Sequence, residues 1–301
     1  MSLRRRSGPG AEHTNAPEGR KPAGSARIGG YVLVGMKGWI MRENRVKTAL
    51  AEGKAVSGPI MEEVRTVGIV KYLAMAGHDF LWFDTEHNFL EWDTLLTLVQ
   101  TSIMSDIVPL IRVTDLSYPL VARALDTGAY GVIIPRVETR EEVERAVSYA
   151  KYPPLGRRGA GGQARNAYMA RDARTAVEEG NALSMVIVQV ESTGAVDQIE
   201  EIASVPGLDV VCVGPQDLSI SLGVHGEFDH PIFLEMIERI VAGCAKHKIP
   251  VGMVSRDVNS FKRWYEMGIR FLVCGSDGSL LLQAARQDVA VLRSITARTP
   301  G

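Results

Sequence analysis

From residue 42 onward the sequence repeats one pattern eight times: a short unbroken apolar run, then an amphipathic stretch. Apolar runs without polar alternation are what strands look like when helices cover both faces of a parallel sheet. They fall at 56–61, 80–84, 107–112, 131–135, 185–191, 208–214, 250–254 and 271–275. Helical periodicity follows them at 62–76, 92–103, 118–127, 140–150, 196–204, 232–246, 258–267 and 279–295, with further helices at 42–52 and 167–179. Gly53, Gly77 and Gly128 supply helix stops. Repeated βα units specify a parallel sheet, and eight of them favour closure. The expected fold is therefore an α/β chain closed into a (β/α)8 TIM barrel, not an open doubly wound sheet.

A barrel of this kind takes about 250 residues, and the chain has 301. The excess lies at the front. The tract 7–30 is rich in Gly, Pro, Ala and charge and has almost no large apolar residues, so it cannot bury a core. Residues 1–40 are read as a disordered extension and 41–301 as one barrel, with Met41 opening the folded part. Lys and Arg number 34 against 35 Asp and Glu, a net charge of −1, which excludes a globally basic nucleic-acid binder. No run of about 18 apolar residues is present, so no membrane span is expected. Cys212, Cys244 and Cys274 form no CxxC or Cys/His ligand spacing. A disulfide scaffold and a zinc module are excluded, and a reducing cytoplasm is the expected compartment.

Barrel chemistry sits at the C-terminal ends of the strands and in the loops that follow. The second run ends in Asp84-Thr85-Glu86-His87, the third in Arg112, the fifth in Gln189-Val190-Glu191 and the sixth in Gly214-Pro215-Gln216-Asp217. Glu191 and Asp217 come from neighbouring strand ends. They would repel each other unless a cation lay between them, and oxygen ligands suit a hard divalent ion. The plainer alternative makes them a helix N-terminal charge and an N-cap. Asp84 and His87, three residues apart, can form a dyad in which the carboxylate orients the imidazole as a general base. The alternative is a loop histidine near a capping aspartate. Arg112 ends an apolar run and is costly to bury without an anion. It would stabilise a developing oxyanion, or simply neutralise Asp84 or Glu86.

Other signals carry less. The glycine-rich basic segment 156–162 lacks a P-loop ending and reads as a flexible loop at the mouth. Gly275-Ser276-Asp277-Gly278 reads as a helix-capping turn, since Asp277 argues against an anion there. No strand ends in lysine, which disfavours Schiff-base chemistry. No G-x-G-x-x-G follows a strand, so a dinucleotide site has no support.

Taken in order, these motifs resemble the HpcH/HpaI family of metal-dependent pyruvate aldolases, whose members act on 4-hydroxy-2-oxoheptanedioate and on 2-keto-3-deoxy sugar acids. The matching residues are Asp84-Thr85-Glu86-His87, Arg112, Tyr152-Pro153-Pro154 with Gly156, Arg158, Gly159 and Gly161, Val188-Gln189-Val190-Glu191, and Gly214-Pro215-Gln216-Asp217-Leu218-Ser219. The resemblance spans about residues 44–293. It implies a divalent metal ion (Mg2+, Mn2+ or Co2+) on Glu191 and Asp217. It implies pyruvate contacts from Arg112, Gln189, Gly214 and Pro215, and proton handling by the His87–Asp84 dyad. It also implies a homo-oligomer, a hexamer or trimer of dimers, with the terminal helix exchanged between subunits. The implied ligands are a small 2-oxo acid and an aldehyde, and the implied reaction is carbon–carbon lysis through a pyruvate enolate. A relative that uses the same enolate for oxaloacetate decarboxylation or for coupling in secondary metabolism is the alternative. Thr85, Asn88-Phe89 and Gln216 depart from the residues common in the family, and 165–168 differs where acceptor contacts arise.

Overall fold

The computed structural model describes residues 26–28, 31–33, 43–166, 168 and 170–296. Two compact units divide at residues 40 and 41. In the first, Ala26–Ile28 and Tyr31–Leu33 pair as short antiparallel strands; the expected disorder of 1–40 otherwise lies outside the described residues.

The second unit is a closed barrel of eight parallel strands. In chain order they are β1 Val56–Met61, β2 Phe80–Asp84, β3 Val108–Arg112, β4 Gly131–Ile134, β5 Met185–Val190, β6 Val210–Val213, β7 Val251–Ser255 and β8 Phe271–Ser276. Each pairs with its sequence neighbours, and β8 closes on β1. The expected fold is therefore the observed one.

Period-two geometry explains how this sheet builds a site. Alternate residues of a strand face opposite sides. Phe80 and Trp82, Val108 and Leu110, Met185 and Ile187, and Val210 and Cys212 pack together as the barrel's inner core. Their neighbours Leu81, Phe83, Ile111, Val186, Val188 and Val211 belong to the outer layer beneath the helices. Two residues further along the inward rows stand Asp84, Arg112 and Gln189, with Glu191 next after Gln189. The apolar alternation that fills the barrel thus delivers these four side chains to one end of it. The register completes the placement, because Asp84 lies opposite Arg112 across β2 and β3.

At the other end the helix Arg45–Ala51 closes the barrel with Val46 and Leu50. Asn44 caps this helix and ties it down by donating to the carbonyls of Tyr130 (3.2 Å) and Leu183 (2.8 Å). Close packing inside the barrel demands a glycine at 58, where an added Cβ would lie 2.7 Å from Cδ2 of Phe80.

Three expected helices are placed differently. The helix after β1 spans Val67–Met75, not 62–76. Its first turn is lost because the Asp277 carboxylate takes the backbone N–H groups of Glu62, Glu63 and Val64. The helix expected at 167–179 spans Ala173–Leu183, started by the Asp172 cap on the Thr175 N–H at 3.0 Å. The stretch 196–204 is two short helices, Thr193–Asp197 and Ile199–Ala203. The segment 156–162 is not at the mouth. It packs on outer helices, with Arg158 paired to Asp126 at 2.7 Å and the Gly159 N–H donated to the Tyr118 hydroxyl at 2.9 Å. It precedes β5, so its tether lies at the closed end of the barrel.

The last helix, Asp277–Thr296, leaves Leu281, Leu282, Val289, Val291, Leu292 and Ile295 exposed. No helix among the described residues is long and apolar enough to cross a membrane. All three cysteines are free.

Candidate active site

Arg112 is the hub. Only 8% exposed, its guanidinium lies 5.5 Å from the centroid of the Trp82 ring. Nε donates to Asp84 Oδ1 at 2.7 Å, and Nη1 lies 3.0 Å from Glu86 Oε2 and 3.3 Å from Gln189 Oε1. This planar, multidentate pairing is what a buried arginine needs. Burial works against its charge, but the Asp84 bond and the charges of Asp84 and Glu86 outweigh it and raise its pKa further.

Asp84 is fully buried. Its Oδ1 also accepts the Glu86 N–H at 3.0 Å; its Oδ2 accepts the His87 N–H at 3.4 Å and the Asn88 side-chain amide at 2.6 Å. Burial opposes ionisation, yet the Arg112 and amide donors hold the carboxyl below the usual aspartate range.

This arrangement corrects the expected dyad. The tight turn after β2 brings the backbone N–H of His87, not its ring, to Asp84, and Asn88 supplies a further donor to Oδ2. The His87 imidazole is 65% exposed, with Nε2 3.7 Å from Glu86 Oε2. Glu86, not Asp84, is the carboxylate beside the ring.

Glu191 is 9% exposed. Both of its hydrogen-bond donors are neutral: the Gln189 amide to Oε1 (2.9 Å) and the Arg136 backbone N–H to Oε2 (3.0 Å). Burial, then the charges of Asp217 and Glu86, push its pKa up to about 7. Asp217 stands in the first turn of the helix Pro215–Ser221, which begins at Gly214. It is not the N-cap. Pro215 occupies an opening position where its missing N–H costs nothing. Gly214 is required by the carboxylate beside it, since an added Cβ would lie 2.7 Å from Glu191 Cγ and closer still to Oε1.

Among the described residues no three His, Cys, Asp or Glu side chains converge as a complete metal cage. The donor set nevertheless fits an ion that keeps open positions. Two acidic side chains, one of them with its pKa raised by burial and then by the neighbouring acidic charges, are stabilised by a cation between them. Gly214→Ala is therefore expected to displace the Glu191 carboxylate and weaken divalent-ion binding about 10- to 100-fold while the barrel still folds. Calorimetric titration checks it, and unchanged affinity in a folded variant would refute the packing argument.

Sequence reasoning brought Asp84, Arg112, Gln189, Glu191, Gly214, Pro215 and Asp217 to one end of the barrel. It passed over Arg136. That arginine follows the apolar run of β4 as Arg112 ends that of β3, and this was the available signal. Its Nη1 lies 2.6 Å from Glu86 Oε1 and its Nη2 donates to the Thr114 carbonyl at 3.0 Å. Arg165, expected near the acceptor, instead stacks on Tyr152 at 5.1 Å in the outer layer.

A closed parallel barrel with a buried arginine and acidic side chains at the C-terminal ends of its strands defines a class: (β/α)8-barrel enzymes with a charged site at that end. The particular family is also clear. The HpcH/HpaI aldolase/citrate lyase profile matches residues 65–284. The chain is 34% identical over 241 residues to the 5-keto-4-deoxy-D-glucarate aldolase of Salmonella paratyphi A, covering 78% of this chain and 91% of that one. It is 35% identical over 229 residues to the hydroxypyruvate/pyruvate aldolase of Paraburkholderia phytofirmans, covering 74% and 87%. The crystal structure of an HpcH/HpaI aldolase from Desulfitobacterium hafniense superposes with a TM-score of 0.80 at 30% identity, over 85% of this chain and 98% of that one. The chain belongs to the HpcH/HpaI aldolase/citrate lyase family.

Proposed function

We propose that the chain is a divalent-metal-dependent, class II pyruvate aldolase that cleaves or forms 4-hydroxy-2-oxo acids through a pyruvate enolate. The observation that carries this reading is Glu191: a buried carboxyl with neutral donors, beside Asp217, at the end of the barrel where Arg112 is also held. The names of the two aldolase relatives support it.

Glu191 and Asp217 would hold Mg2+, Mn2+ or Co2+. When bound, such an ion supplies Lewis acidity that stabilises negative charge on a keto oxygen. Arg112, fixed by Asp84 and Glu86, directs its remaining donors at the same oxyanion, so little reorganisation is needed as charge develops. Gln189 fixes Glu191 and borders the pyruvate unit, and Gly214 and Pro215 line it without side-chain bulk. In cleavage His87 takes the proton of the C4 hydroxyl. The C3–C4 bond breaks, its electron pair enters the enolate, and an aldehyde leaves. A proton at C3 then gives pyruvate. Glu86 Oε2 stands beside that imidazole, 3.7 Å from Nε2.

The exposed apolar residues of the helix Asp277–Thr296 support the exchanged-helix homo-oligomer, a hexamer, as the working assembly. The free cysteines favour a reducing cytoplasm.

The test is pyruvate release from a panel of 4-hydroxy-2-oxo acids by chelator-treated enzyme, with and without each ion. Release that needs the ion is expected; absence of both release and pyruvate methyl-proton exchange would overturn the reading. His87→Ala separates the proton step from enolate formation. Because the ring is exposed and Asp84 does not orient it, the loss in cleavage is expected near the lower end for general acid–base catalysis, about 100-fold. Oxaloacetate decarboxylation removes no hydroxyl proton and should stay within about tenfold. Equal losses in both reactions would assign His87 to the fold instead.

A further inference from the structure

We infer that Arg136 is the specificity-determining residue of the acceptor side, receiving an anionic group, carboxylate or phosphate, on the aldehyde half of the substrate. This rests on the aldolase reading above.

Three observations place it there. First, Glu86 divides the site. Its Oε2 faces both Arg112 at 3.0 Å and the His87 ring at 3.7 Å, while its Oε1 faces Arg136 at 2.6 Å. Arg112 is on the pyruvate side and His87 on the hydroxyl side. Arg136 lies across the same carboxylate from both, which puts its guanidinium beyond the reacting carbons.

Second, the backbone at 136 is held in an unusual state. Its φ is +52°, a left-handed conformation that a non-glycine residue adopts only against backbone strain. The strain is met by the Arg136 N–H, which donates to Glu191 Oε2 at 3.0 Å. One residue thus secures an acid of the proposed ion pair through its backbone and presents its side chain at the mouth.

Third, the side chain is tethered but not used up. A guanidinium has five N–H donors. Nη1 serves Glu86 and Nη2 serves the Thr114 carbonyl, yet the side chain remains 56% exposed. A planar cation anchored on one edge and open on the other suits an incoming oxyanion. Arg112 has no such freedom, being buried against Trp82.

The experiment compares acceptors in the aldol direction, with pyruvate and metal-saturated full-length enzyme. The aldehydes are succinic semialdehyde for a carboxylate, glyceraldehyde 3-phosphate for a phosphate, and propanal as the neutral reference. In wild type an anionic aldehyde should be preferred. Arg136→Met keeps the backbone N–H on Glu191 and removes only the cation. It should lower the anionic-to-neutral ratio of kcat/KM by about 10- to 100-fold, the worth of a charge-assisted hydrogen bond, mainly through KM. Arg136→Lys should restore part of it. The anion whose ratio falls more identifies the group received. An unchanged ratio, or equal losses for all three aldehydes, would overturn the inference. Pyruvate methyl-proton exchange by the wild type is read in parallel. Exchange with an unchanged ratio refutes Arg136 alone, whereas no exchange refutes the aldolase reading.

Discussion

Glu191→Gln is expected to abolish ion-dependent activity while making the metal-free protein more stable at neutral and higher pH. The two effects have one cause. The Glu191 carboxyl is buried and faces the charges of Asp217 and Glu86, which push its pKa from 4.5 up to about 7. In the unfolded chain it returns to the ordinary glutamate value. Between about pH 4.5 and 7 the folded protein therefore binds a proton that the unfolded chain has released. Stability falls as pH rises through that window, and above pH 7 the full penalty is present. At 1.36 kcal/mol per pKa unit it amounts to about 3 kcal/mol. A glutamine keeps the shape and carries no charge, so urea denaturation curves of wild type and variant should diverge as pH rises. A divalent ion reverses the ranking. It stabilises wild type by binding only the folded state and leaves the variant unchanged. Losing the Lewis acid should remove several kcal/mol of transition-state stabilisation, on the order of 1000-fold or more in rate. Parallel pH–stability curves together with equal stabilisation by Mn2+ would show that Glu191 is not an ion ligand.

Legibility from sequence followed the periodicities. The eight strands were readable because a parallel strand covered on both faces is an apolar run, and β2 (FLWFD) and β5 (MVIVQV) each break theirs with a single polar residue near the C-terminal end. The same alternation that sends Phe80 and Trp82 inward sends Asp84 inward, so the site residues on strands came with the strands. What escaped reading was set by turns. His87 and Asn88 lie in the loop after β2, where the chain's local path decides whether a backbone N–H or a ring meets Asp84. The shortened helix Val67–Met75 depends on Asp277, more than 200 residues distant, and no local window contains that partner. The loop 156–162 was misplaced because glycine and arginine content says nothing about which end of a barrel a segment occupies. Its position before β5 does say it. Arg136 stands two residues past the end of β4, outside the alternation that carries Asp84 and Arg112, so the strand period does not mark it.

Arg112 tests whether the site's buried charges form one unit. Among the described residues it is the one cation that touches Asp84, Glu86 and Gln189 together. Arg112→Met would leave the Asp84 charge buried without its cation, and Glu86 with Arg136 as its remaining close guanidinium. Breaking a buried pair from one side costs about 3–5 kcal/mol, so this variant should lose much of its denaturant resistance as well as activity. Arg112→Lys separates the two losses. It restores a positive charge, but one ammonium on a flexible stem cannot reproduce the fork that meets two carboxylates and an amide at once. Stability should return to within about 1–2 kcal/mol of wild type, whereas enolate formation should remain reduced about 100- to 1000-fold, as when one preorganised oxyanion donor is removed. Pyruvate methyl-proton exchange reads that step without an acceptor, so neither His87 nor Arg136 enters the measurement. A lysine variant that exchanges protons at the wild-type rate would mean that Arg112 only neutralises its carboxylates and that the oxyanion is stabilised elsewhere.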